Sequence, residues 1–450
     1  MIRLIFHQIW NQRRQNLWIW LELMVLSVFI WMVMDPLFTM VCVMRLPANF
    51  DTEHTYVVCP SYARSGPNYK EEADNDSCYK QQLDLLLTQL NAHPMTEAVC
   101  IIPDRWNFPG GGSWNGGYFY PSRAASEKAK DEGHGASGKS VSLSSQFFVG
   151  LYCEGLEQWS DMPYTLGLRD AATGELLHAR PDDSKQGVCY ISAKAARILY
   201  GTELAKDSSF YEPAGGVDMR VGGVYKDVKQ QNYLIPAPSV ILSKYDCWQT
   251  PKDFSVMVRL KPDVDAVAFE KAILKDVLLQ CRIGNTLRFE LFSVRKRAEQ
   301  MAENMGANNL VRIHLALGGF GLLCVFLGVT GLFWVRCIGR RQDMGVMRSM
   351  GATRLGVVRQ MLCESVLLFV MAFVPAMILV GIKVYLKGYN LDFWLNQSDT
   401  DFWFLRTVPH VSAVTLLSFL FMLIIILLAT WIPVYHASKT MPSDALHDES

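Results

Sequence analysis

The sequence carries no surplus charge. Lys plus Arg and Asp plus Glu each total 43 among 450 residues, for a net charge of zero. A nucleic-acid binder ordinarily shows a basic excess, so that class is disfavoured. Charge is also scarce, at 19% against the roughly 25% usual in soluble proteins. The 11 cysteines include no C-x-x-C pair and no tetrad with zinc-ligand spacing. Histidines are scattered, and no Ser/His/Asp or paired-carboxylate constellation is visible. The chain is therefore assigned no catalytic, cofactor-binding or metal-binding residue. Apolar mass takes the place of the missing charge: half of the residues are hydrophobic and the mean hydropathy is +0.12.

Four runs hold that mass, at 17–43, 310–335, 357–385 and 411–432. Each reaches the ~20 residues a helix needs to cross a bilayer. The first is crowded with Trp18, Trp20 and Trp31 and is followed by no small-residue cleavage site, so it reads as a retained helix and not as a signal peptide. Arg3, Arg13 and Arg14 precede it, and Arg336, Arg340, Arg341, Arg348, Arg354 and Arg359 crowd the connection between the second and third runs. The next connection holds Asp392, Asp399 and Asp401 with Trp394 and Trp403. Basic residues stay on the cytoplasmic side, so both termini and the 336–356 connection are expected there. The expected fold is an α-helical membrane protein with four transmembrane helices and a large α+β extracytoplasmic domain inserted between helices 1 and 2. Its parts are an amphipathic cytoplasmic segment (1–16), the external domain (44–309), a cytoplasmic coupling helix (336–356), an external loop (386–410) and a cytoplasmic tail (433–450).

Within the external stretch, 55–59, 98–102, 187–192, 221–228 and 254–260 are β-branched and strand-like. Ser77–Asn91 carries Leu83, Leu86, Leu87 and Leu90 at helical spacing, and 193–200 and 264–281 also predict helices. Residues 103–140 are rich in Gly, Ser and Lys without periodicity and are expected to form a loop or insertion. There Gly133 to Ser140 matches the phosphate-loop pattern G-x-x-x-x-G-K-[ST]. Phosphate binding needs a strand before and a helix after that loop. Neither is predicted, so a polar surface loop is expected. Of the seven external cysteines, Cys100 and Cys189 sit in apolar strands and read as buried free thiols.

In the second run, Gly321, Cys324, Gly328 and Gly331 share one helix face, which suits close helix packing within the subunit or a dimer contact. Glu22, Asp35 and Glu364 are ionisable residues inside the runs. Such charges are costly and mark candidate functional positions unless an interface solvates them. In the basic connection, Met344, Met347 and Met350 recur every three residues beside Val346. They predict a short amphipathic helix that ends at Gly351, with its apolar face on lipid or on a partner.

Asp343-x-Gly345-x-x-Arg348-x-x-Gly351-Ala352, followed by Glu364, resembles the E-x-G-x-x-R-x-x-G-A segment of FtsX-like ABC transporter permeases. Asp343 departs from the usual Glu. Ile432-Pro-Val-Tyr-His-Ala437, with Pro442, Ala445 and Leu446, is similar to that family's ending. Tyr190 to Gly201 and Val221 to Lys229 resemble the periplasmic core domain of MacB-like permeases. This resemblance implies a permease dimer, formed with a second copy or a paralogue in the bacterial inner membrane. ATP and Mg²⁺ would sit on a separate cytoplasmic ATPase. Asp343, Met344, Gly345, Met347, Arg348, Met350 and Gly351 would couple to that ATPase, and its motion would pass to the periplasmic domain for export of a peptide, antibiotic or other substrate. Exporters of this type also work with a periplasmic adaptor and an outer-membrane channel. The other class implied is an FtsX-like sensor or scaffold that signals across the membrane or activates a cell-wall hydrolase.

Overall fold

The computed structural model describes residues 13–103, 118–131, 141–142, 148–153, 158–212, 216–229, 235–236, 238–245, 254–304, 306–340, 345–347, 349–387 and 402–437. The chain divides into two compact units. One is Leu46–Ala307; the other combines Met1–Arg45 with Asn308–Ser450.

The strands of the first unit, in chain order, are β1 (Thr55–Ser61), β2 (Thr96–Pro103), β3 (Tyr118–Phe119), β4 (Val141–Ser142), β5 (Phe148–Cys153), β6 (Gln158–Trp159), β7 (Val188–Ser192), β8 (Ser209–Glu212), β9 (Val217–Tyr225), β10 (Val240–Tyr245), β11 (Phe254–Leu260) and β12 (Arg288–Ser293). A four-stranded sheet has the order β12-β1-β11-β2, with every neighbouring pair antiparallel. The helix Asp76–Ala92 joins β1 to β2, and Ala266–Ile273 with its one-turn continuation Leu274–Leu278 lies between β11 and β12. Each is a split βαβ unit, in which two parallel strands are separated by one strand of the other unit. Everything between β2 and β11 is an excursion from this core. It supplies a second, six-stranded sheet of order β6-β5-β10-β7-β9-β8.

Alternation explains the layering. Tyr56, Val58, Ile101, Val256 and Val258 face one side of the four-stranded sheet, where they pack on Leu83, Leu86, Leu87 and Leu90 of the first helix and Phe269, Ile273 and Val277 of the other. Val57, Cys59, Cys100, Ile102 and Met257 face the other side, in a core shared with Met162, Val188, Tyr190, Tyr225 and Ile241. The first helix starts at Asn75, whose side chain accepts the Cys78 N–H at 2.9 Å. In the six-stranded sheet, β7 runs directly into the helix Ala193–Tyr200. Ser192 caps that helix by accepting the Ala195 N–H, and Gly201 closes it at φ +74°.

The expected structureless stretch 103–140 is corrected in part. Arg123–Asp131 is a helix in which Ser126 and Ala129 are buried. Ala124, Ala125, Glu127, Lys128, Ala129 and Lys130 are strong helix formers, and they outweigh the missing apolar stripe. The Gly133–Ser140 match itself lies outside the described residues. It is flanked by this helix on one side and by strand β4 on the other, the reverse of the strand–loop–helix order that phosphate binding requires.

Gly284 is held by both its backbone and its neighbours. Its φ is +52°, and a Cβ there would lie 2.6 Å from the Asn68 carbonyl oxygen. The Asn285 side chain donates to the Pro67 carbonyl beside it. Gly284→Ala is expected to lower stability by about 1–3 kcal/mol, because the added methyl and the left-handed backbone both oppose the native turn. Thermal unfolding of the full chain checks this, and an unchanged melting temperature would refute it.

Among its described residues, the second unit has four long helices, Arg13–Met44, Ala307–Gly339, Arg354–Lys387 and Thr407–Ala437. Each includes a stretch long and apolar enough to cross a membrane. They are called the first to fourth membrane helices below. Long-range polar and aromatic contacts tie the first, third and fourth together. Trp20 Nε1 donates to the Met371 carbonyl at 3.0 Å, and Trp31 Nε1 to Thr415 Oγ1 at 3.2 Å. Phe369 stacks on Phe419, their ring centres 5.3 Å apart.

Candidate functional site

The second and third membrane helices are joined by a tight elbow. Residues 345–347 and 349 are helical. The Met350 N–H reaches the Val346 carbonyl at 3.1 Å, and the Ala352 N–H the Met347 carbonyl at 3.0 Å. Gly351 then takes φ +92° with nothing near its Cβ position, so it is needed for its backbone conformation and not for space. Thr353 caps the third membrane helix by accepting the Gly356 N–H at 3.1 Å.

The two described methionines of the elbow, Met347 and Met350, differ in burial. Met347 is half-buried and packs against Cys337 of the second helix, Val357, Val358 and Met361 of the third, and Val434 of the fourth. Met350 is 75% exposed and Val346 44% exposed. Gly345 is buried. Asp343, Met344 and Arg348 lie outside the described residues. One methionine therefore anchors the elbow to the helix ends, while Val346 and Met350 present an apolar surface outward.

A buried ion pair clamps the same elbow. Arg340, just past the second helix, is 7% exposed; Glu364, inside the third, is 2% exposed. Arg340 Nη1 donates to Glu364 Oε2 at 2.5 Å. Glu364 is thus fixed to the start of the connection and is not solvated at an interface. Sequence reasoning used Arg340 for orientation and missed it as a partner. A lone carboxylate in an apolar run, with an arginine at the preceding helix end, was the available signal. Glu22 is half-buried, and its Oε1 lies 3.9 Å from where a Cβ on Gly328 would stand.

The small-residue stripe divides. A Cβ on Gly321 would lie 2.9 Å from the Phe29 ring, and one on Gly318 3.3 Å from Val33, so these two glycines let the first helix approach the second. Cys324 is exposed, and nothing approaches the Cβ position of Gly331.

In the Leu46–Ala307 unit, no cluster of three or more His, Cys, Asp and Glu among the described residues could hold a metal. Cys100 and Cys189 are free and buried, as expected, and burial pushes both thiols up to about 12. At neutral pH such thiols are protonated and unreactive. Cys78 and Cys281 are also free. The side chains of Cys153 and Cys247 are not among those described. Asp161 is a structural hub: its carboxylate accepts the Tyr164 and Ala179 N–H groups and meets His178 Nδ1 at 3.0 Å.

The elbow, its clamp, the third membrane helix and most of the second fall within one recognisable segment. Residues 315–442 match the family model of the FtsX-like permease C-terminal domain. This part of the chain is similar to the C-terminal domain of FtsX-like permeases. Comparison with curated proteins finds no match. Among solved structures, the chain is similar to the periplasmic region of MacB from Actinobacillus actinomycetemcomitans. Identity is 13%, the match covers 58% of this chain and 98% of that one, and the TM-score is 0.30. It is also similar to a domain of a proposed permease protein from Porphyromonas gingivalis, at 12% identity, 54% and 92% coverage and TM-score 0.31.

Proposed function

We propose that this chain is the membrane permease subunit of an ABC transporter of the FtsX/MacB type, driven by a separate cytoplasmic ATPase. The observation that carries the reading is the elbow. Within an FtsX-like permease domain, a short helical turn is clamped to the membrane helices on its inner side and keeps Val346 and Met350 exposed on the other. An apolar surface held rigidly between two membrane helices can receive a push from a soluble partner and pass it on without loss in a floppy linker. Met350 suits this role, since its unbranched, polarisable side chain adapts to a partner that moves. The arginines around the elbow favour a cytoplasmic position, where ATP is found. Residues 46–307 then lie on the far side of the inner membrane, inserted between the first and second helices. ATP and Mg²⁺ belong to the partner, and a second copy or paralogue of the permease completes the transporter. Motion reaches the external unit, which acts on an exported substrate or on an adaptor beside it.

Gly351→Val tests the coupling step. A β-branched residue at positive φ costs about 1–2 kcal/mol, too little to unfold the chain but enough to re-aim the elbow. The variant is expected to insert normally and still bind the ATPase, while losing permease-stimulated ATP hydrolysis in reconstituted vesicles. Wild-type stimulation by Gly351→Val would remove the elbow as the coupling element.

A further inference from the structure

A second buried ionic contact lies at the opposite end of the membrane helices. Asp35 of the first helix is 1% exposed and His410 of the fourth is fully buried. His410 Nε2 lies 2.6 Å from Asp35 Oδ1, and His410 Nδ1 lies 2.7 Å from the Phe404 carbonyl oxygen. A carbonyl oxygen cannot donate, so Nδ1 must carry a hydrogen. An aspartate oxygen at 2.6 Å from Nε2 then requires a second proton between them, as imidazolium with aspartate or as imidazole with aspartic acid. Without it, two lone pairs would face each other at hydrogen-bond distance in a buried position. Phe38 covers the pair, its ring centre 5.7 Å from that of His410 and 6.1 Å from that of Trp403.

One turn along the first helix from Asp35, Trp31 holds a cation. Lys383 of the third helix stands over its ring at 5.7 Å. The Lys383 Nζ is buried and has no hydrogen-bond partner among the described residues. Among the described residues, the other charged or titratable side chains on the segments that end here are Arg406 beside the Trp403–Leu405 turn, Cys42 of the first helix and Arg45 just past it, Tyr385 of the third helix, and Arg312 and His314 of the second.

We infer that Asp35 and His410 form an intramembrane proton-binding site that latches the Met44 end of the first helix to the Thr407 end of the fourth. With one proton bound, the pair is satisfied and the latch is closed. When that proton leaves, Asp35 and His410 repel, and Asp35 passes to Lys383, the cation that lacks a hydrogen-bond partner. The latch is closed at lower pH and opens as pH rises. This goes beyond the coupling role of the elbow and does not depend on it.

The test is backbone amide hydrogen–deuterium exchange of segments 30–44 and 402–412, in the full chain in lipid nanodiscs. Variants are compared at equal pH, so that intrinsic exchange chemistry cancels. In Asp35→Asn, the amide N–H donates to Nε2 while Nδ1 still donates to Phe404, so the latch stays closed without a titratable proton. In Asp35→Ala it is open throughout. Wild type is expected to match Asp35→Asn at the low end of the pH range and to exchange about tenfold or more faster than Asp35→Asn at the high end. Lys383→Met is expected to move the wild-type midpoint to higher pH. Wild type tracking Asp35→Asn at every pH would overturn the latch, and so would equal exchange in Asp35→Asn and Asp35→Ala. An unmoved midpoint in Lys383→Met would overturn the passage to Lys383. Wild type against Asp35→Asn decides the matter even if Asp35→Ala does not fold.

Discussion

Glu364→Ala is expected to lower the stability of the membrane unit by about 3–5 kcal/mol. Arg340 would keep its buried position while losing the carboxylate that accepts its hydrogen bond. The sign depends on which state is compared. Removing one partner leaves a guanidinium in a poorly solvated place, whereas removing both takes away the desolvation cost together with the attraction. Arg340→Met combined with Glu364→Leu is therefore expected to recover most of the loss, to within about 1 kcal/mol of wild type. Denaturation of the full chain in bicelles, followed through the double-mutant cycle, measures both. A double variant as unstable as Glu364→Ala would mean that the pair does more than satisfy its own charges.

The two described methionines of the elbow are expected to respond in opposite ways. Met347 sits among Cys337, Val357, Val358, Met361 and Val434. Met347→Asp places a carboxylate in that apolar cluster and is expected to cost about 2–4 kcal/mol, which detaches the elbow from the helix ends. Met350 is 75% exposed, so Met350→Asp is expected to shift stability by no more than about 0.5 kcal/mol. Equal destabilisation by both substitutions, in the same denaturation assay, would contradict this division of the elbow into an anchored and a presented side.

Much of the architecture is legible in the sequence because it follows from local pattern. Long apolar runs mark the four membrane helices, and Leu83, Leu86, Leu87 and Leu90 mark the helix Asp76–Ala92 by spacing alone. The pairing of β2 with β11 is not legible, since the excursion between them separates strands whose patterns hold no record of each other. Arg123–Asp131 escaped notice because its helical signal is propensity and not an apolar stripe. At the elbow, a three-residue methionine repeat shows that the segment is helical, yet it cannot say which methionine turns toward the membrane helices. That is decided by Val357, Met361 and Val434, whose placement depends on how the helices pack. Arg340 and His410 were missed for a related reason. Each gains its meaning from a carboxylate on another helix, Glu364 and Asp35, and a single chain read in order shows the charge without its partner.

The most direct measurement is affinity purification of the full chain from its native membrane with Mg-ATP, wild type beside Met350→Asp, followed by mass spectrometry and an ATP-hydrolysis assay. An ABC ATPase is expected to accompany the wild type. Met350→Asp, at wild-type stability, is expected to retain about tenfold less of it or lower, as burial of an unpaired charge at a contact surface demands. Wild type purifying without any ABC ATPase, or equal recovery of the ATPase with Met350→Asp, would contradict docking at the elbow.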